Sequence, residues 1–398
     1  MRISQRAQSI KASPSSQASQ RARELKASGV DLISLTVGEP DFDTPEHITE
    51  AAFAATRAGK TRYTDTGGVP ELKDAICRKL QQENNLDYAR KNVIASTGAK
   101  QAIFNALYAI VDEGDEVIIP APYWVSYPDM VKLVGGTPVI VETDANTGFK
   151  LSAQQIRDAI TPRTRCVIIN SPSNPTGAVY SRAEMQALID VLKPHEQVLV
   201  VSDEVYEHIL FDDRTFTSFA SVDASFKDRV ITINAVSKTY AMTGWRLGYA
   251  AGHEDIVKAM NKVQSQSTSC PSSIGQQGAL AALNSDQSCR HRFVQEYAQR
   301  RDYVMQRISE IPGITCVSPD GAFYAFISCQ GVVGQKSASG RVIRDGMDFS
   351  EHLIDHGVFL IPGEAYGTPN HARLSFATSL EELRSGMDRI QKAVLELH

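Results

Sequence analysis

Residues Val230–Gly252 read VITINAVSKTYAMTGWRLGYAAG. The apolar run at the start of this segment predicts a buried strand. Lys238 follows directly after it, where solvation is poor, and both desolvation and a nearby cation such as Arg246 lower the pKa of an amine. A neutral amine is what a Schiff base requires, so the segment predicts a reactive lysine. An isolated lysine at a strand end more often extends its amine to solvent, and that alternative stays open at this point.

The middle of the chain alternates between apolar strands and helices. Strands are predicted at residues 93–96, 116–119, 166–169, 198–201 and 230–236, with helices such as 99–111 and 182–192 between them. Short, continuously apolar strands separated by helices indicate a mostly parallel sheet covered by helices on both faces. The expected fold class is therefore α/β.

Polar side chains collect where these strands end. Lys100 follows the first strand, Asn174 the third, Asp203 the fourth, and Ser237 and Lys238 the fifth. Ligands of parallel sheets bind beyond the carboxyl ends of the strands. Four such ends together predict one functional site at this edge of the sheet.

The pattern changes beyond residue 290, where a charged helix is followed by shorter strands at 321–326, 358–362 and 371–377. This arrangement predicts a second, smaller α+β domain. We expect an N-terminal arm and part of the small domain at 1–46, a large domain at 47–289 and a small C-terminal domain at 290–398.

The composition narrows the function classes. The chain has 398 residues, 42% of them hydrophobic and 22% charged, with a net charge of −5. Those are values of a globular protein, and the negative charge argues against sequence-independent binding to nucleic acid. No apolar run approaches the length that spans a membrane, and the N-terminus lacks an apolar signal core. Six scattered cysteines fit reduced thiols in a cytoplasmic protein.

A series of motifs carries a resemblance over nearly the whole chain. In order they are SLTVGEPDFDTP, YTDTGGVPEL, STGAKQA, PAPYWVSYP, NSPSNPTGAVY, SDEVYEHILF, SKTYAMTGWRLGY, GAFY and ARLSFA. Each motif alone is weak, but their order and spacing are very specific. The chain resembles the class I (fold-type I) aminotransferases that depend on pyridoxal phosphate (PLP), closest to the bacterial aspartate aminotransferase subgroup. The resemblance implies the fold of those enzymes, with a large PLP-binding domain.

The resemblance also implies catalytic roles. Lys238 would hold PLP covalently and then move the α-proton of the substrate. Asp203 would pair with the pyridine nitrogen and keep it protonated. Tyr206 and Asn174 would hydrogen-bond the phenolic oxygen. Taken alone, Asp203 would more often be a surface turn residue and Asn174 an ordinary turn residue.

Further residues would bind the cofactor. The opening of a helix at Gly98 and Ala99 can present free N–H groups to a phosphate. The other implied cofactor ligands are Lys100, Ser237, Arg246, Trp124 as a ring stacked on the pyridine, and Tyr63 reaching from the neighbouring subunit. Trp124 alone is equally well an ordinary core aromatic.

Substrate recognition would divide between two sites. Arg373 would clamp the α-carboxylate, helped by Gly38, Asn174 and Trp124. Lys100, Ser13 and Ser15 would contact a dicarboxylic side chain, although the arm carries Ala12 where proline is usual in this subgroup.

The expected activity is transfer of the amino group of L-aspartate, with aromatic amino acids as further possible donors, to 2-oxoglutarate by a ping-pong cycle. The expected assembly is a homodimer with active sites at the subunit interface. Alternatives are an aromatic, prephenate or alanine aminotransferase, and a PLP-dependent carbon–sulfur β-lyase. A PLP-dependent transcription regulator would need a helix-turn-helix domain before the first strand. No metal is expected, because His352 and His356 lack a third ligand.

Overall fold

The computed structural model describes residues 2–398, except for the side chain of Ser15. The helices, α1 to α14, are Gln5–Gln8, Pro14–Ala27, Glu46–Arg57, Pro70–Asn84, Gly98–Ile110, Tyr127–Leu133, Ala153–Ala159, Arg182–Leu192, Val236–Thr239, Glu254–Ser265, Ser273–Asn284, Ser288–Ser309, Gly346–Asp355 and Leu380–Leu395. The strands, β1 to β13, are Ile33–Ser34, Val93–Ser96, Glu116–Ala121, Thr137–Glu142, Thr164–Asn170, Leu199–Asp203, Val230–Ala235, Gly248–Ala251, Thr315–Cys316, Tyr324–Ser328, Val358–Phe359, Ile361–Pro362 and His371–Ser375.

The largest sheet has seven strands in the order β2-β8-β7-β6-β5-β3-β4. Only β8 runs against the others, pairing antiparallel with both β7 and β2. This confirms the mostly parallel sheet expected from the sequence. All five predicted strands of this sheet are present, and β4 and β8 were not predicted.

Both faces of this sheet are covered. In β5, Val167 and Ile169 pack into one hydrophobic cluster, whereas Cys166 and Ile168 pack into another. Alternate side chains of a strand point to opposite faces, so the two clusters are the two sides of the sheet. This explains why the predicted strands are continuously apolar rather than alternating.

A second group of strands lies in the C-terminal part. A four-stranded sheet has the order β12-β13-β10-β9, and β1 pairs parallel with β11. The single strand predicted at 358–362 is therefore wrong, because Leu360 separates β11 from β12 and the two pair with different neighbours. The predicted division at 46/47 and 289/290 stays a prediction.

The residue just before α3 anchors a loop of the structure. Pro45 is the N-cap residue of α3, so Thr44 lies outside the helix. The Thr44 hydroxyl donates to the Ala241 carbonyl at 2.6 Å and accepts from the Trp245 indole at 3.0 Å. Thr44 thereby holds the loop that follows Lys238.

None of the helices in the described chain combines enough length and apolarity to cross a bilayer.

Candidate active site

The carboxyl ends of the parallel strands open into a cavity of about 470 Å³. Its lining includes most of the predicted site residues, namely Gly38, Ala99, Lys100, Trp124, Asn174, Asp203, Tyr206, Ser237, Lys238, Arg246 and Arg373. This volume is within the range that binds a cofactor with a small substrate. The cavity therefore lies where the sheet rule placed it.

Lys238 is half-buried in α9, directly after β7. Its Nζ donates to the Gly38 carbonyl at 2.6 Å. The pKa of Lys238 is lowered to about 8, mainly by burial. The carboxylates of Glu39 and Asp203 oppose this shift, and the cations Arg246 and Arg373 add to it. A large share of this amine is thus neutral slightly above neutral pH, which is the form that reacts with carbonyl carbon.

Asp203 is the last residue of β6 and is buried. Burial raises its pKa to about 6, although a hydrogen bond from Tyr127, the Val205 N–H and the charge of Lys238 all favour the ionised form. The Tyr127 hydroxyl donates to Asp203 Oδ2 at 2.6 Å. Sequence reasoning missed Tyr127, because no local sequence pattern indicates a contact between residues 76 positions apart. The only signal for Tyr127 is its place in the PAPYWVSYP motif.

One end of the cavity gathers groups that attract an anion. α5 begins at Gly98, and the first N–H groups of a helix lack intrahelical partners. Gly98 has φ +82°, and a Cβ on it would lie 2.4 Å from Arg246 Nη2. A Cβ on Gly248 would lie 2.3 Å from the Ala99 nitrogen. Two glycines thus let the guanidinium and the β8 backbone close on the helix start.

The donor set at this end fits the phosphate group of PLP. It consists of the α5 terminus, the buried hydroxyl-bearing Ser237 and the guanidinium of Arg246. Lys100 stands beside them; its side chain reaches solvent, but partial burial of the amine and the charge of Arg246 lower its pKa. Its Nζ lies 4.9 Å from the ring centroid of Trp124.

Arg373 is a buried cation, with 2% of its surface exposed. Its Nη1 donates to Asn174 Oδ1 at 3.0 Å and its Nη2 to the Thr36 carbonyl at 2.7 Å. Among the described residues no carboxylate pairs with it, and its Nε has no acceptor. An unpaired buried charge is costly, so this arrangement calls for an anionic ligand.

Two tyrosines lie beside these charges. Tyr206 and Tyr324 place their hydroxyl oxygens 2.9 Å apart, and the Arg373 guanidinium lies 4.4 Å from the Tyr324 ring centroid. Burial raises the pKa of Tyr206 well above its ordinary value. A Cβ on Gly38 would lie 3.1 Å from the Tyr324 hydroxyl, so Gly38 leaves room for that contact. Tyr324 was also missed as a site residue, although the GAFY motif contains it.

Some predicted residues are not part of this cavity. Tyr63 is 92% exposed and lies outside the lining. Ser13 is the N-cap residue of α2 and is likewise outside it, while the side chain of Ser15 lies outside the described part of the chain. The arm instead contributes Ser16, Ser19 and Arg23. These positions share one face of α2, and that face depends on where the helix begins, at Pro14.

Comparison with known proteins places this geometry in a family. The model of "Aminotransferase class I and II" matches residues 30–390. An aspartate/prephenate aminotransferase of Cereibacter sphaeroides is 50% identical over 96% of both chains. An aspartate aminotransferase of Rhizobium meliloti is 48% identical over 94% of this chain and 91% of its own.

Solved structures agree with the sequence relatives. The crystal structure of an aspartate aminotransferase from Rhizobium meliloti has 46% identity and a TM-score of 0.98, and each chain is fully covered. An aspartate aminotransferase from Thermus thermophilus, solved with maleate, has 41% identity and a TM-score of 0.92, with 99% of this chain and all of that chain covered. The fold-type I architecture expected from the sequence is confirmed. The chain therefore belongs to the class I and II aminotransferase family, and it is a pyridoxal-phosphate-dependent transaminase of amino acids and oxo acids.

Proposed function

We propose that this aminotransferase moves the amino group of L-aspartate to 2-oxoglutarate in a ping-pong cycle. The observation that carries the proposal is that further cations line the cavity that contains Arg373. Lys100 and Arg23 both line it, and neither forms an ion pair within the described chain. Aspartate and 2-oxoglutarate each present two carboxylates, so one can meet Arg373 and the other can meet one of these cations. The relatives named above for aspartate, and the one solved with maleate, support the same substrate class.

The cofactor would be held by the residues of the cavity. We assign covalent attachment to Lys238, the pyridine nitrogen to Asp203, and the phenolic oxygen to Tyr206 and Asn174. The phosphate goes to the group formed by Gly98, Ala99, Lys100, Ser237 and Arg246, and the ring stacks on Trp124. When bound, PLP supplies an electron sink for the electron pair that the departing α-proton leaves behind. An ionised Asp203 supports that role, because it keeps the ring nitrogen protonated.

The chain's own residues would perform the remaining work. The Lys238 amine removes the α-proton of the amino acid in one half of the ping-pong cycle. In the other half it adds a proton to the α-carbon derived from the oxo acid. A guanidinium has five N–H donors, and Arg373 uses two of them on Asn174 and Thr36. Its Nε and the remaining Nη hydrogens are available for the α-carboxylate. That clamp, with Asn174 beside it, orients the Cα–H bond toward Lys238.

We further propose a cytoplasmic homodimer whose active sites lie at the subunit interface. Tyr63 supports the dimer, because it is a large aromatic residue that is 92% exposed and outside its own cavity. In the dimer it would contact the phosphate of the neighbouring subunit. The six cysteines, all described and none in a disulfide, support a reducing compartment.

A second candidate is prephenate, which shares the dicarboxylate character of aspartate in a larger molecule. The 50% identical relative named for both aspartate and prephenate favours it as a further substrate. The exposed position of Lys100 supports it too, since that end of the cavity is open.

The visible absorbance of the purified, cofactor-loaded protein tests the function directly. Aspartate or glutamate, added without any oxo acid, should bleach the cofactor band, and Lys238→Ala should remove both the bleaching and turnover. Bleaching only by phenylalanine, tyrosine or alanine would keep the enzyme class and overturn the aspartate assignment. Normal turnover by Lys238→Ala would remove Lys238 from the mechanism.

Arg373→Lys should lower kcat/KM for every amino acid, because a point charge replaces a planar fork. The expected cost is about 2–5 kcal/mol, typical of losing a buried hydrogen-bonded charge contact. Steady-state kinetics with aspartate and phenylalanine measure it. Unchanged kcat/KM for both would place the α-carboxylate elsewhere.

Lys100→Ser should weaken acidic substrates more than aromatic ones, because it removes a cation from the open end of the cavity. The ratio of kcat/KM for aspartate to that for phenylalanine is the measurement. The exposed Lys262→Ser is a matched control that should leave the ratio unchanged. An equal loss for both substrates would leave Lys100 with its phosphate role or a role in the fold and remove it from side-chain recognition.

Asp203→Asn should change the pH dependence of stability in the cofactor-free protein. The Asp203 pKa of about 6 in the folded chain exceeds the ordinary value of 3.8, so the folded state holds this proton more tightly. The protonated carboxyl therefore contributes to the free energy of unfolding, fully below pH 3.8, and this contribution is lost as pH rises through about 6. The variant should therefore gain on the order of 2–3 kcal/mol over wild type at neutral pH and little in acid. Urea unfolding at several pH values measures this, with the exposed Asp213→Asn as control; parallel profiles for wild type and Asp203→Asn would contradict it.

A further inference from the structure

A largely buried polar network, with Glu83 at its exposed end, lies beside the reactive lysine, outside the cavity. We call it the buried brace; it consists of Lys79, Glu83, Asn84, Glu207, His208, Asn234, Thr239, Tyr240 and Arg290. The brace joins α4 and α12 to two other segments. One is the end of β6 with the residues that follow it, and the other is β7 with α9. Those last two segments carry Asp203, Tyr206 and Lys238, and none of the roles assigned above uses the brace.

The first half of the brace surrounds Glu207. Lys79 and Glu207 form an ion pair whose side chains are 4% and 3% exposed. Asn84 Nδ2 donates to Glu207 Oε2 at 2.6 Å, and Asn234 Nδ2 donates to Oε1 at 2.7 Å. Glu207 thus has three partners from two different elements, and it directly follows Tyr206 in the chain.

The second half surrounds Glu83. Arg290 Nη1 donates to Glu83 Oε1 at 2.7 Å, and Arg290 also contacts the Tyr240 hydroxyl. Burial raises the pKa of Glu83, but His208, Lys79 and Arg290 outweigh it and lower the pKa to about 2. The brace therefore contains two cations and two carboxylates. Glu83, Glu207 and His208 come close enough to resemble metal ligands, but the two cations already neutralise the carboxylates.

His208 connects the two halves. Burial lowers its pKa, with Lys79 and Arg290 acting in the same direction and the two carboxylates opposing them, so the ring is neutral. Its Nε2 lies 2.9 Å from Glu83 Oε2. Arg290 Nη1, which can only donate, lies 3.0 Å from the same Nε2, so this nitrogen can serve either neighbour. Nδ1 lies 3.1 Å from the Thr239 hydroxyl, which can donate to it or accept from it, so the two side chains form a hydrogen bond in either tautomer of the neutral ring.

The hydrogen bond between Thr239 and His208 links two segments of the candidate active site. Thr239 directly follows Lys238, and His208 lies two residues beyond Tyr206. α9 has only four residues, so one side-chain contact constrains a large part of it. The hydrogen bond ties the backbone of the lysine to the segment that carries Tyr206.

We propose that Thr239 is a positioning residue for the transamination reaction. Its hydrogen bond to His208 fixes the Lys238 amine relative to Asp203 and Tyr206. The inference rests on the role proposed for Lys238, and it adds a residue that touches neither substrate nor cofactor.

Thr239→Val tests it, because valine keeps the shape and removes only the hydroxyl. Thr232→Val is a matched control: Thr232 is fully buried in β7, and its hydroxyl has no hydrogen-bond partner among the described residues. Thr239→Val should lower kcat by about ten- to a hundred-fold with little change in KM, as expected for a misplaced reacting group. It should also shift the pH midpoint of the visible cofactor band. Thr232→Val should change neither.

Two further variants separate positioning from a structural role. Thr239→Ser restores the hydroxyl and should recover kcat and the spectral midpoint. In a His208→Leu background Thr239→Val should add no further loss, because the hydrogen-bond partner is already absent. A thermal melt of each variant checks that the differences do not follow stability.

The outcomes are distinguishable. If wild type is bleached by amino acids but Thr239→Val matches Thr232→Val in kcat and midpoint, the positioning role is overturned and the proposed function stands. Failure of Thr239→Ser to recover, or a full extra loss in the His208→Leu background, overturns it as well. If Lys238→Ala retains turnover, the proposed function and this inference fall together.

Discussion

The structure depends on two ionisable groups withdrawn from water at the ends of neighbouring strands. β6 ends at Asp203, and β7, its parallel neighbour, leads directly into Lys238. Burial raises the pKa of the acid to about 6 and lowers that of the amine to about 8. Each charge is disfavoured by its surroundings, and each is only partly compensated by the other. The cofactor-free site is therefore under electrostatic strain, which under the proposed assignment a ring nitrogen beside Asp203 and a carbonyl attached to Lys238 would relieve.

The surrounding contacts keep this strain from disordering the strand ends. Tyr127 donates to Asp203, and the Gly38 carbonyl accepts from Lys238. Behind them the buried brace holds both segments through a network with equal numbers of cations and carboxylates. A balanced network fixes the positions of these segments without adding net charge near Lys238. A net charge there would shift the pKa of the amine further. The sheet edge thus separates a reactive pair, whose charges are poorly compensated, from a supporting network whose charges balance.

The sequence revealed the residues that stand at strand ends and concealed their partners. Asp203 and Lys238 were predictable because short apolar runs locate the strands, and parallel strands align their carboxyl ends. Tyr127, Tyr324 and the bond between His208 and Thr239 were not, because a contact across many residues leaves no local pattern. The arm shows a third case: a hydroxyl was expected from Ser13, but Ser16 and Ser19 line the cavity. The face of α2 that lines the cavity depends on the helix start, which propensity defines only within a few residues.

The cations that line the cavity differ in burial, and this difference bears on the range of substrates. Arg373 is buried, held at two of its nitrogens and stacked on Tyr324, so its position is fixed. Lys100 and Arg23 are exposed and have no carboxylate partner within the described chain. Under the proposed function Arg373 holds the α-carboxylate that every amino acid presents, and a rigid clamp suits that constant group. Side chains vary in length, and exposed cations can meet a second carboxylate at different distances. One cavity would thereby serve both aspartate and a bulkier dicarboxylate without any change at the reacting carbon.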